Sequence, residues 1–178
     1  YSETDPCVAN AVVIFGGGCT GITVSREGLI FTNHHCGYSS IQQLSSVEHD
    51  YLKDGFVSQS KNEELPVPGL SVQYLSEMID VTERINPVIA PIEEEYKRLM
   101  AADSVGQVLC DSVGMNEFKR ASVIPFYSDN KYYLVVYNVY RDVRFMHRAA
   151  DIEVAERGYA ERGKVGFARK SFVYAKLF

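Results

Sequence analysis

This sequence predicts a mainly β chain with one helical excursion, an α+β fold. Three observations point there. Short apolar runs recur at the β period and end in clusters of Gly, Pro or Asn/Asp. One central segment, residues 76–113, changes to helical spacing and carries two prolines. The aromatic content leans towards strands, with 12 Tyr, 9 Phe and no Trp.

The elements follow in order. Ala11–Phe15 (AVVIF) is a β-branched run ended by Gly16-Gly17-Gly18, so it predicts a buried strand. Gly21–Ser25 and Leu29–Thr32 flank the turn Arg26-Glu27-Gly28 and predict a β-hairpin. Ile41, Leu44, Val47 and Leu52 lie near helical spacing, which predicts a helix over 41–55 with Gly55 as its stop. Leu65–Gly69 (LPVPG) is an extended turn, because each proline fixes its own φ and restricts its neighbour. Leu70, Val72 and Tyr74 alternate, as a strand does. Pro87 and Pro91 divide the helical excursion into two pieces. In the better piece, Ile92–Ala102, Glu93 and Glu94 stand four residues before Lys97 and Arg98. Ala121–Tyr127 and Lys131–Tyr140 are strands around the turn Ser128-Asp129-Asn130, and Arg141–Met146 continues the second. Ala149–Arg162 has a helix-like charge pattern. Val165–Phe178 is basic and aromatic and suggests no element.

Composition limits the functions available. The 178 residues are 46% hydrophobic and 23% charged, enough to close the core of one domain. The net charge of −5 argues against a nucleic-acid partner. No apolar run reaches the roughly 20 residues of a membrane helix, so no membrane span is expected. No signal-peptide pattern is present, and the start at Tyr1 suggests a partial protein. Residues 1–146 hold 11 Lys/Arg against 19 Asp/Glu, and residues 147–178 hold 7 against 4. The change of sign marks a change of character near Met146.

Two motifs suggest chemistry of their own. Gly16–Gly21 matches G-x-G-x-x-G after a strand, but dinucleotide binding needs a helix directly afterwards. Residues 22–32 are β-branched and broken by Glu27-Gly28, so a close-packed strand end is the better account. Thr32-Asn33-His34-His35-Cys36 ends the next strand. A zinc site from Cys19, His35, Cys36 and His49 can be drawn, but its spacing fits no common pattern. The plainer account is two structural histidines. Cys19 and Cys36 bracket the hairpin, and two strands joined by one turn return to the same end of a sheet. Their thiols could therefore meet, which would hold the backbone beside His35 and imply an oxidising compartment. Cys7 and Cys110 remain, and four cysteines allow three full pairings.

The segments Asn10–Tyr38 (NAVVIFGGGCTGITVSREGLIFTNHHCGY), Ile41–Phe56 (IQQLSSVEHDYLKDGF) and Glu64–Leu75 (EELPVPGLSVQYL) resemble the bacterial dipeptidyl-peptidases of the 7 and 11 types. The resemblance runs on through Lys131–Met146 (KYYLVVYNVYRDVRFM). Those enzymes are chymotrypsin-clan serine exopeptidases that release dipeptides from peptide N-termini. The resemblance implies a chymotrypsin-like antiparallel β-barrel lobe over 1–146, with the helical excursion at about 76–113. It implies an incomplete double barrel, and residues 147–178 as a basic tail outside the family pattern. His35, directly before Cys36, takes the place of the catalytic histidine of the Ser-His-Asp triad, and His34 is structural. His49 is a solvated or capping residue. A Cys19–Cys36 disulfide is expected.

No Gly-x-Ser-Gly-type nucleophile loop occurs, and Ser112, Ser171, Asp142 and Asp151 have no supporting motif. The chain is accordingly expected to be inactive alone, as part of a serine-type dipeptidyl aminopeptidase whose substrate is a peptide with a free N-terminus. The competing expectation is an inactive β-barrel binding or structural module. No metal or cofactor is expected. Self-association through an uncovered lobe face is, as is a periplasmic, cell-surface or secreted location.

Overall fold

A computed structural model describes residues 7–148 and 172–177. The strands in order are β1 (Val12–Phe15), β2 (Cys19–Thr23), β3 (Leu29–Asn33), β4 (Phe56–Val57), β5 (Leu65–Pro66), β6 (Val72–Asp80), β7 (Lys119–Phe126), β8 (Lys131–Tyr140), β9 (Val143–Arg148) and β10 (Phe172–Leu177). The α-helices are α1 (His34–Leu44), α2 (Thr82–Ile89) and α3 (Glu95–Ser112). The chain divides into two compact units, Ala11–Val72 with Tyr140–Phe178, and Tyr1–Asn10 with Gln73–Val139.

The first unit is an antiparallel sheet in the order β4-β9-β10-β3-β2-β1, with β5 also on β9. Val13 and Phe15 of β1 and Ile30 and Thr32 of β3 are buried, as the two-residue period of a half-buried strand requires. Gly21 is needed in β2. A Cβ there would lie 2.8 Å from Ile30 Cγ2 and 3.1 Å from Val13 Cγ2. Thr32 is buried beside it and satisfies its hydroxyl by donating to the Thr20 carbonyl at 2.9 Å. A small core gathers Ile41, Val67 and Phe145, and the Phe145 ring stacks on Phe56 at 5.1 Å.

The helix expected at 41–55 instead covers His34–Leu44. Local side chains explain the early stop. Ser45 Oγ donates to the Ile41 carbonyl and accepts from the Tyr51 amide. Ser46 Oγ accepts from His49 N, and Asp50 Oδ1 accepts from Leu52 N and Lys53 N. These short polar side chains take backbone partners that a continuing helix would need. Tyr51 and Leu52 still reach the core from this loop, whereas Val47 is fully exposed.

The second unit places β8 between β6 and β7. Strands β7 and β8 form the expected hairpin, from Lys119↔Asn138 to Phe126↔Lys131. Its turn holds Tyr127, Ser128 and Asp129 at positive φ, and Asn130 Nδ2 donates to the Tyr127 carbonyl. The core joins Val81, Ile85 and Ile89 to Leu109, Tyr132, Leu134 and Val136. Helix α3 approaches β7 closely at Gly106, where a Cβ would lie 3.3 Å from Val123 Cβ.

The helical excursion starts later than 76, because β6 continues to Asp80. It falls into two helices, with Pro87 inside α2 and Pro91 in the break. The second helix runs on to Ser112, and its exposed ion pair is Glu94–Lys97 at three-residue spacing. Residues 141–146 do not extend β8; a separate strand, β9, starts at Val143. Strand β10, for which the local sequence suggested no element, pairs with β3 and β9. The helix expected at 149–162 lies outside the described residues.

Asp80 starts α2 by accepting from both the Thr82 amide and the Thr82 hydroxyl, and Lys131 Nζ approaches it at 3.1 Å. The Thr82 hydrogen bonds, then Lys131, lower its pKa from 3.8 to about 2. A folded-state pKa below the unfolded one contributes stability above about pH 3.8, and that contribution fades as pH falls towards 2. The Asp80→Asn variant should therefore be less stable than the parent at neutral pH. The gap in urea midpoint should close as pH is lowered through this window. A gap constant down to pH 2 would deny Asp80 this role.

Candidate active site

Three elements bring the site residues together. Strand β2 begins at Cys19, β3 ends at Asn33, and α1 starts at the next residue. The registers Gly21↔Thr32 and Thr23↔Ile30 align β2 with β3. This puts the start of β2 beside the first turn of α1. The Cα atoms of Cys19 and Cys36 are 5.9 Å apart, and their sulfurs are bonded. Cys7 is half-buried and Cys110 buried, both as thiols; burial pushes the Cys110 thiol pKa up.

The chain turns into a helix at His34-His35, so the two histidines do not alternate across a strand. His35 is exposed in the first turn of α1, and its Nε2 lies 3.3 Å from Cys36 Sγ. His34 is half-buried and meets the Tyr38 ring edge-on at 5.6 Å. His49 is in a loop rather than a helix and stacks on Tyr51 at 6.1 Å.

Several sequence candidates fall away here. The Gly16–Gly18 turn joins antiparallel β1 and β2, so the glycine pattern has no helix to hold a pyrophosphate. Cys19 and Cys36 spend their sulfurs on each other and offer no thiolate to a metal while bonded. Asp142 is held by both arms of Arg144, at 3.0 and 2.9 Å, and that pairing lowers its pKa. Ser112 donates to the Leu109 carbonyl at the end of α3. Ser171 and Asp151 lie outside the described residues. A surface cavity of about 400 Å³ opens between Gly16-Gly17, Ser40 and Pro68–Ser71, and no titratable side chain lines it. Local patterns did not indicate the buried Thr32 hydroxyl, which ties β3 to β2 two residues before His34. A polar residue at an inward strand position was its only signal.

The sequence profile described as Peptidase S46 matches residues 1–158. The chain belongs to the peptidase S46 family. Its S46 relatives include dipeptidyl-peptidase 7 of Porphyromonas gingivalis, 55% identical over 146 residues. That match covers 82% of this chain and 20% of the relative. The Asp/Glu-specific dipeptidyl-peptidase of Porphyromonas endodontalis is 41% identical over 155 residues, covering 82% of this chain and 21% of that protein. Among solved structures, Porphyromonas endodontalis DPP11 in complex with substrate matches with a TM-score of 0.80 at 34% identity. The match covers 99% of this chain and 27% of that one. The expected mainly antiparallel α+β architecture agrees with this S46 structure. The chain spans about a fifth of the length of the curated S46 relatives it matches. Among the described residues no helix is long and apolar enough to cross a membrane.

Proposed function

We propose that this chain carries the general base of a serine-type dipeptidyl-peptidase, an exopeptidase that releases dipeptides from peptides with a free N-terminus. His35 is the base. The observation that carries the reading is its place in an S46 chain: exposed, at the head of α1, directly before the disulfide-bonded Cys36. A base must reach its nucleophile within hydrogen-bond distance, and a fixed backbone with an open ring allows that. Its Nε2 now faces a sulfur, which is only a weak acceptor, so little opposes turning the ring towards a hydroxyl. His35 would take the proton of the attacking serine and return it to the leaving amine. The nucleophile, the orienting carboxylate and the groups that hold the substrate amine would come from outside the described residues.

The disulfide supports an oxidising location, the periplasm or cell surface. A protein with the length of the S46 relatives should release dipeptides from a free-amine peptide, lose that activity to a serine-directed phosphonate, and spare the N-acetylated peptide. Equal cleavage of both peptides would replace the exopeptidase reading with an endopeptidase one.

A further inference from the structure

We propose that Cys19, His35 and Cys36 form a latent site for a thiophilic metal ion, closed while the sulfurs are bonded to each other and opened by reduction. The two sulfurs and a His35 ring nitrogen all lie within 4.8 Å of one another. Zinc bonds of about 2.3 Å to sulfur and 2.0–2.1 Å to nitrogen separate tetrahedral ligand atoms by roughly 3.3–3.8 Å. The His35 Nε2 to Cys36 Sγ distance is already 3.3 Å. Once the sulfur–sulfur bond is cut, the sulfurs only need to relax to ordinary non-bonded contact.

The step balances. A dithiol reductant attacks one sulfur, gives two electrons to the protein disulfide and leaves as its own disulfide, so Cys19 and Cys36 each gain a proton. Metal binding then releases those two protons, and neutral His35 gives its ring lone pair. Two thiolates and one imidazole are a soft donor set that suits Zn²⁺ or Cu⁺ and not Mg²⁺ or Ca²⁺. The cysteines are half-exposed and His35 is exposed, which leaves a fourth position to water.

The site does not depend on the disulfide to bring its ligands together. Cys19 is held by pairing of β2 with β1 and β3, and His35 and Cys36 by the first turn of α1. A metal bound there would take the lone pair of the proposed base. That consequence rests on the functional reading above, whereas the site itself does not.

Cobalt(II) tests the site in the 178-residue chain without any assay of activity. The background variant is Cys7→Ser/Cys110→Ser, reduced with a phosphine that competes poorly for metal. One equivalent of cobalt should give a sulfur-to-cobalt charge-transfer band and the visible bands of a tetrahedral ion, and zinc should bleach both. His35→Ala should weaken binding at least tenfold and shift the visible bands, and His34→Ala should do neither. Circular dichroism in parallel reports whether the reduced chain is folded, or folds when metal is added. Absence of the charge-transfer band, with the reduced chain folded or unfolded, overturns the proposal. So does a cobalt spectrum that His35→Ala leaves unchanged.

Discussion

Replacing His35 with alanine, in a protein with the length of the S46 relatives, is expected to cut kcat/KM for dipeptide release by about 10³–10⁶-fold. The fall should lie in kcat, because a residue with the proposed role of general base acts in the proton transfers and not in holding the peptide. Stability should hardly change, since the ring is exposed and its nearest described contact is a weak one to Cys36 Sγ. His34→Ala is the matched control. That ring is half-buried against Tyr38, and removing it loses an edge-on aromatic contact of about 0.5–1.5 kcal/mol. The control should therefore lower the melting temperature and leave kcat near the parent value. Near-normal turnover in His35→Ala would remove this residue from the chemistry. A collapse of kcat in His34→Ala at unchanged stability would hand the role to its neighbour.

What could be read from the sequence depended on how local the cause was. The strand at Val12–Phe15, the hairpin turn at Ser128–Asn130 and the helix break at Pro91 follow from residues within a few positions. So does the return of β2 and β3 to one end of the sheet, which let Cys19 be considered as a partner for Cys36. The helix end was misplaced because four apolar residues at helical spacing do not reveal what Ser45, Ser46 and Asp50 do with their side-chain oxygens. Strand β10 was not legible at all. Phe172 pairs with Asn33 across more than a hundred residues, and no local pattern encodes such a partner. At the site, His35 stood out through its place before Cys36 in a motif shared with a family. Its position on a helix rather than a strand did not. The turn from β3 into α1 makes neighbouring histidines inequivalent, one against Tyr38 and one towards solvent and Cys36.

Removing the disulfide should produce the largest loss of stability that a change at this site can cause. Cys19 and Cys36 are 17 residues apart, and a cross-link closing a loop of that size contributes about 3 kcal/mol in the chain-entropy model. At about 2–4 °C per kcal/mol for a domain of this size, the Cys19→Ala/Cys36→Ala chain should melt roughly 6–12 °C below the parent. The double variant is the proper test, since a single replacement leaves a thiol free to find Cys7 or Cys110. Unfolding should stay cooperative, because the β2–β3 register, the Gly21 contact with Ile30 and the core around Phe145 do not pass through the sulfurs. The urea midpoint should therefore fall while the slope steepens, because a chain freed of its cross-link unfolds to a more expanded state with more exposed surface. In a protein with the length of the S46 relatives, the same double variant should keep substrate KM and lose kcat, since the turn that carries His35 is then tethered only by α1 and β3. A melting temperature within a degree of the parent would show that the sheet alone holds this junction. Unchanged kcat beside a full loss of stability would show that the clamp serves the fold and not the base.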